Sequence, residues 1–81
     1  MKEYTVIYER GDRNWSAYVP DLPGCIATGK TRPAIERMIR EAIEFHIEGL
    51  KLRGEAIPEP SIVAGKATVS TRRRRILATK N

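Results

Sequence analysis

The chain has 81 residues, enough for one small domain whose own core is marginal and which gains stability by oligomerising, so a homo-oligomer is expected. Its single cysteine excludes an intrachain disulfide framework and a multi-cysteine zinc site, and no apolar run is long enough to cross a membrane. The net charge of +5 is a property of one end: residues 66–81 hold six of the fifteen basic side chains and no acid, which leaves nine basic against ten acidic elsewhere. A uniformly basic nucleic-acid-binding body is therefore excluded, and any such reading concerns the tail alone.

In chain order, residues 3–9 read as a strand rich in β-branched and aromatic residues, with Tyr4, Val6 and Tyr8 on one face and Thr5 and Ile7 on the other. No signal-peptide core is visible at its start, and the single cysteine fits a reducing compartment, so a cytoplasmic location is expected. A polar loop with Gly11 leads into a second strand, Trp15-Ser16-Ala17-Tyr18-Val19, whose apolar face is Trp15, Ala17 and Val19. The connection Pro20-Asp21-Leu22-Pro23-Gly24 is stiff: two prolines fix φ and remove donors, and Gly24 opens angles closed to other residues. Pro20, Asp21, Pro23 and Gly24 are thus expected to be structural turn residues, and residues 25–28 form a short third strand.

Thr31 is a suitable helix N-cap and Pro33 is tolerated in the first turn. Ile35, Met38, Ile39, Ala42, Ile43, His46, Ile47 and Leu50 then recur at three- and four-residue steps, the apolar stripe of a helix of about twenty residues. Glu36–Arg40 and Arg37–Glu41 are expected as attractive pairs on its wet side, and Gly54 as its stop. An extended Pro-rich connector follows, and residues 62–63 and 67–71 are weak candidates for a fourth strand. The expectation is an α+β fold: a small antiparallel β-β-β-α sheet with one long helix on one face, a domain over residues 1–65 and a basic tail over 66–81, partly strand or disordered. The uncovered sheet face points to a protein–protein interface.

No catalytic constellation is visible, and no cofactor or metal is expected. Asp21, alone between prolines, reads as a turn residue and not a base. His46 reads as a packed, hydrogen-bonded histidine, and Cys25 as a small buried hydrophobe with no histidine base near it in sequence. Tyr4, Tyr8, Trp15 and Tyr18 could stack bases, but the strands carry no interleaved Lys or Arg, which favours packing. The cluster Arg72, Arg73, Arg74 and Arg75, with Lys66 and Lys80, is either a solvated tail or a phosphate-contacting arm giving weak, salt-sensitive nucleic-acid binding.

From Tyr4 to Pro60 the chain resembles the HicB family of antitoxins. The residues that carry the likeness are the strand Trp15 to Val19, the turn Pro20-Asp21-Leu22-Pro23-Gly24-Cys25, Gly29 with Thr31, then Glu41-Ala42-Ile43, His46, Leu50, Gly54 and Ile57-Pro58-Glu59-Pro60. The resemblance implies a degraded RNase H-like fold without catalytic carboxylates, and a protein that binds and silences a small basic RNA-cleaving toxin of the HicA type. Body carboxylates such as Asp21, Glu36, Glu41, Glu44 and Glu48 are expected to be able to meet such a toxin. Two departures stand out: Arg32-Pro33-Ala34-Ile35 replaces an acidic helix start, and the 21 residues after Pro60 are too few for the family's C-terminal DNA-binding domains. A nucleic-acid-binding module acting through the tail, or a solitary structural paralogue, are the alternatives.

Overall fold

In the computed structural model, which describes residues 1–72, three strands and one helix follow each other in sequence: β1 (Ile7–Arg10), β2 (Trp15–Tyr18), β3 (Ile26–Gly29) and α1 (Arg32–Leu52). The sheet is antiparallel in the order β1-β2-β3. Its register aligns Tyr8, Ala17 and Ala27 in one row and Ile7, Tyr18 and Ile26 in the next. Period-two alternation sends the first row towards the core and the second to the opposite face. The expected α+β fold is present.

β1 is shorter than its composition suggests. Continuing the register would set Val6 against Val19 and Thr5 against Pro20, where the chain turns away and the proline has no N–H to donate. Residues 3–6 therefore have no ladder partner, although Tyr4 and Val6 still pack against the core.

The stiff connection consists of two consecutive β-turns. Leu22 N–H donates to Val19 O at 3.0 Å, and Cys25 N–H to Leu22 O at 3.0 Å. Each turn has proline at its second position, and Gly24 takes φ 88° at the third position of the second, as a type II turn demands. Val19 N–H reaches Cys25 O at 3.1 Å and closes the pair. This geometry drives Leu22 inward, where it is fully buried with Val19, Ala17, Cys25, Ile35 and Ile39. Burying side chains of this kind stabilises by roughly 1.5–3 kcal/mol each.

The helix begins and ends as its sequence predicts. Thr31 Oγ1 accepts from Ala34 N–H at 3.2 Å. At the other end Gly54 N–H donates to Lys51 O and Glu55 N–H to Leu50 O, a Schellman arrangement around Gly54. Gly29 lets α1 approach the sheet: a Cβ there would lie 3.2 Å from the Ile35 nitrogen. α1 packs on β3 and β2, and no Cα of β1 comes within 8 Å of it.

Three local expectations are corrected. Glu36 pairs with Arg32 (Nε to Oε2, 2.9 Å), one turn back, and among the described residues neither Glu36–Arg40 nor Arg37–Glu41 forms an ion pair. Residues 62–63 and 67–71 form no strand; in the described part the sheet has three strands. The Pro-rich connector is extended, but it returns across the molecule as a strap whose polar groups are taken by side chains in place of a ladder. Lys2 Nζ meets Glu59 Oε2 at 2.7 Å, Tyr4 Oη donates to Pro58 O at 2.6 Å and Thr5 Oγ1 to Ile62 O at 2.6 Å. At Ile62 the backbone groups a strand would use are already taken, the carbonyl by Thr5 Oγ1 and the N–H by Asp21 Oδ2.

Candidate functional site

Asp21 does more than shape its turn. Its Oδ2 accepts from the backbone N–H of Ser61 at 2.8 Å and of Ile62 at 3.2 Å, and its Oδ1 from Ser61 Oγ at 2.6 Å. The Ser61 hydroxyl first, then the two N–H groups, hold the carboxyl below the ordinary carboxylate range, because all three bonds favour its charged form. Asp21 is thus the clamp of the strap, and is occupied within the chain. Pro20, Pro23 and Gly24 keep the structural part that the sequence suggests.

The outward side of α1 carries a second apolar line that a single-stripe reading misses. Met38, Phe45 and Leu52 are seven residues apart and share one face; Phe45 is 82% and Leu52 83% exposed. Met38, placed in the core stripe by its spacing, is exposed as well, because α1 lies over β2 and β3 and turns this line away from the sheet. The only local signal was the seven-residue recurrence itself. Ile26 of β3, 64% exposed, lies beside Phe45 in a recess of about 320 Å³. Glu41 and Glu48, three residues after Met38 and Phe45, stand beside the line, whereas Glu44 lies further round on the wall of the groove on the other flank; among the described residues none of the three is in an ion pair. Of the five carboxylates named from the sequence, Asp21 and Glu36 are internally engaged and these three remain.

On the other flank of α1, the side chains of residues 4–8 leave a groove of about 610 Å³, walled by Tyr4, Val6, Tyr8, Ile43, Ile47 and Ile57. It exists because β1 has no helix above it.

Cys25 and His46, twenty-one positions apart, line the same recess as Phe45, so sequence distance was a poor guide to their separation. The pairing does not make a nucleophile. Cys25 is buried, and burial pushes its thiol up, away from the reactive thiolate. His46 is half-buried and makes no hydrogen bond among the described residues, in place of the bonded histidine expected. No group of three or more His, Cys, Asp or Glu side chains that could hold a metal exists among the described residues.

Of the basic tail, Lys66 and Arg72 are exposed, and Arg72 N–H donates to Ser70 Oγ at 3.2 Å. Arg73, Arg74, Arg75 and Lys80 lie outside the described residues. Inside the three strands no Lys or Arg is interleaved with the aromatics, as expected; the basic side chains sit at one end of the sheet, where Arg10 closes β1, Lys30 follows β3, and Arg32 of α1 lies over the Tyr8 ring at 4.1 Å and the Trp15 ring at 5.6 Å.

Sequence comparison decides the family. The profile described as "HicB_like antitoxin of bacterial toxin-antitoxin system" matches residues 4–74. The chain belongs to the HicB-like antitoxin family. A UPF0150 protein of Thermoplasma acidophilum is similar to it at 44% identity over 72% of this chain and 84% of its own length. An uncharacterized 14.9 kDa protein from the rep-hol intergenic region of Haemophilus phage HP1 is 36% identical over 69% of this chain and 42% of its own. A UPF0150 protein of Helicobacter pylori is 36% identical over 56% of this chain and 62% of its own. The chain thus spans less than two thirds of the phage and Helicobacter relatives. No solved structure matches the chain significantly. The match through residue 74 takes in the turn, the helix and the strap of this HicB-like chain. No helix among its described residues is long and apolar enough to cross a membrane.

Proposed function

We propose that this HicB-like protein is a non-catalytic cytoplasmic antitoxin that binds a small basic RNA-cleaving toxin and masks it. The observation that carries this reading is the outward face of α1, where an exposed apolar line, Met38, Phe45 and Leu52, runs beside the carboxylates Glu41 and Glu48, which are in no ion pair among the described residues. A toxin that cleaves RNA has to hold phosphates and is therefore basic. Carboxylates at the rim of an apolar contact steer such a partner and exclude acidic ones, while a large aromatic anchor such as Phe45 supplies the central burial. An RNase H-like scaffold reduced to three strands and a helix, with its acids on a helix surface, is consistent with a role in binding.

The test is an RNA-cleavage assay with a HicA-type toxin. Stoichiometric addition of the protein is expected to stop cleavage, and Phe45→Glu to relieve the block. Cleavage that continues in the presence of a stoichiometric amount of the unaltered protein overturns the proposal.

A further inference from the structure

The groove of about 610 Å³ on the β1 flank of α1 is apolar inside and charged along its helix rim. Its apolar part is lined by Tyr4, Val6, Ile43, Ile47 and Ile57, all half-buried. The wall opposite the helix is already fixed within the chain: Tyr4 Oη donates to Pro58 O at 2.6 Å, and Lys2 Nζ meets Glu59 Oε2 at 2.7 Å. Along the rim stand Glu36, Arg40, Glu44 and Lys51, all exposed, so the charges run negative, positive, negative, positive from the start of the helix to its end. Glu36 is held by Arg32. The other three are in no ion pair among the described residues, although Arg40 and Glu44 are one turn apart.

We propose that this groove is the contact between two copies of the chain, whose α1 helices run antiparallel across a two-fold axis near Ile43. The order of the rim charges selects that occupant. Reversed, the row reads positive, negative, positive, negative, so every charge of one copy meets its opposite in the other. Glu36 faces Lys51 of the second copy and Arg40 faces its Glu44, in register to within one turn of helix. The two-fold repeats both contacts, which gives four opposite-charge pairs. A parallel arrangement would set like charge against like. The four charges sum to zero, so neither a polyanion nor a strongly basic protein gains from the rim as a whole. A small apolar ligand would leave the row unused. Ile43 and Ile47 lie in the middle of the row and bring apolar surface from each copy to a flank that no helix of the same copy covers. That burial matters in a chain with seven buried hydrophobic residues in its described part, too small a core to be comfortably stable alone. The groove lies on the flank of α1 away from Met38, Phe45 and Leu52, so the contact goes beyond the antitoxin reading, which does not depend on it.

The experiment is sedimentation equilibrium on the full chain and on charge reversals of the rim. The unaltered chain is expected to be a dimer. Arg40→Glu sets acid against acid at two of the four pairs and Glu44→Arg sets cation against cation, and each is expected to weaken the dimer about tenfold or more. An equimolar mixture of the two variants is expected to dimerise as the unaltered chain does, because each reversed charge then meets its opposite in the other copy. The double variant Arg40→Glu/Glu44→Arg is expected to dimerise alone for the same reason. Helical circular dichroism confirms that each variant is folded. A monomeric unaltered chain overturns the proposal, as do single reversals that leave the dimer intact or a mixture that associates no better than its components. A dimer dissolved by Phe45→Glu, with both reversals without effect, overturns it in favour of the opposite flank. Arg40→Glu is expected to retain the block of the toxin and Phe45→Glu to retain the dimer, so each reading fails separately.

Discussion

Asp21 and Ser61 are forty positions apart, and the carboxylate of one takes both the hydroxyl and the backbone N–H of the other, at 2.6 and 2.8 Å. The stiff turn and the Pro-rich strap are therefore one structural unit. Asp21→Ala leaves the Ser61 and Ile62 N–H groups without their acceptor. The expected outcome is faster hydrogen exchange at 61 and 62 with little change in the helix. Unchanged exchange there would show that the prolines hold the strap unaided.

The same clamp gives a pH dependence. The Asp21 carboxyl sits below its ordinary value near 3.8 in the folded chain. A depressed carboxyl contributes stability that is fully present above its unfolded value and is lost as pH falls through its folded one. Acid titration should therefore release the strap below about pH 3.8, and Asp21→Asn, which cannot titrate, should show no such step.

The double turn and the close approach at Gly29 make three substitutions unequal to one on the tail. Gly24→Val forces a β-branched residue to φ 88° and is expected to cost about 1–3 kcal/mol. Gly29→Ala places a Cβ against the Ile35 backbone and is expected to cost about 1–3 kcal/mol through overpacking. Pro23→Ala should cost about 0.4–1 kcal/mol, chiefly through the freer unfolded chain. Arg72→Ala, at an exposed position, should stay within about 0.5 kcal/mol. Urea unfolding of the four variants checks the order.

Cys25 reports on opening of the core. Its burial and raised thiol predict slow modification by a thiol reagent at neutral pH, rising to the rate of a free cysteine in denaturant. Rapid modification of the native chain would mean that the recess it shares with His46 opens to solvent.

Features set by neighbouring residues were legible in the sequence. The Thr31 cap, the Gly54 stop, the helix between them and the proline turn all follow from side chains within a few positions, and the structure has them where they were expected. What was missed depends on residues far apart. The Asp21 clamp needs Ser61, and the recess around Cys25 needs the second half of α1. Met38 was misplaced because both a core and an outward position fit its spacing, and only the seating of α1 over β2 and β3 decides between them. The cations at Arg10, Arg13 and Lys30 look scattered along the chain until the register brings them together.

The outward helix face carries the functional claim. Replacing Glu41 and Glu48 by Gln should slow association with a basic partner and flatten its salt dependence, whereas Phe45→Glu should speed dissociation. Surface plasmon resonance separates the two effects. Unchanged association and dissociation rates in both variants would argue that a different face is used.

The most direct measurement is the RNA-cleavage rate of a HicA-type toxin as this protein is titrated in. Cleavage should fall to background at a stoichiometric ratio for the unaltered chain and persist with Phe45→Glu, whose fold is verified by its melting curve. A toxin that remains fully active beside the unaltered chain, or one silenced equally well by Phe45→Glu, would contradict masking through the outward face of α1.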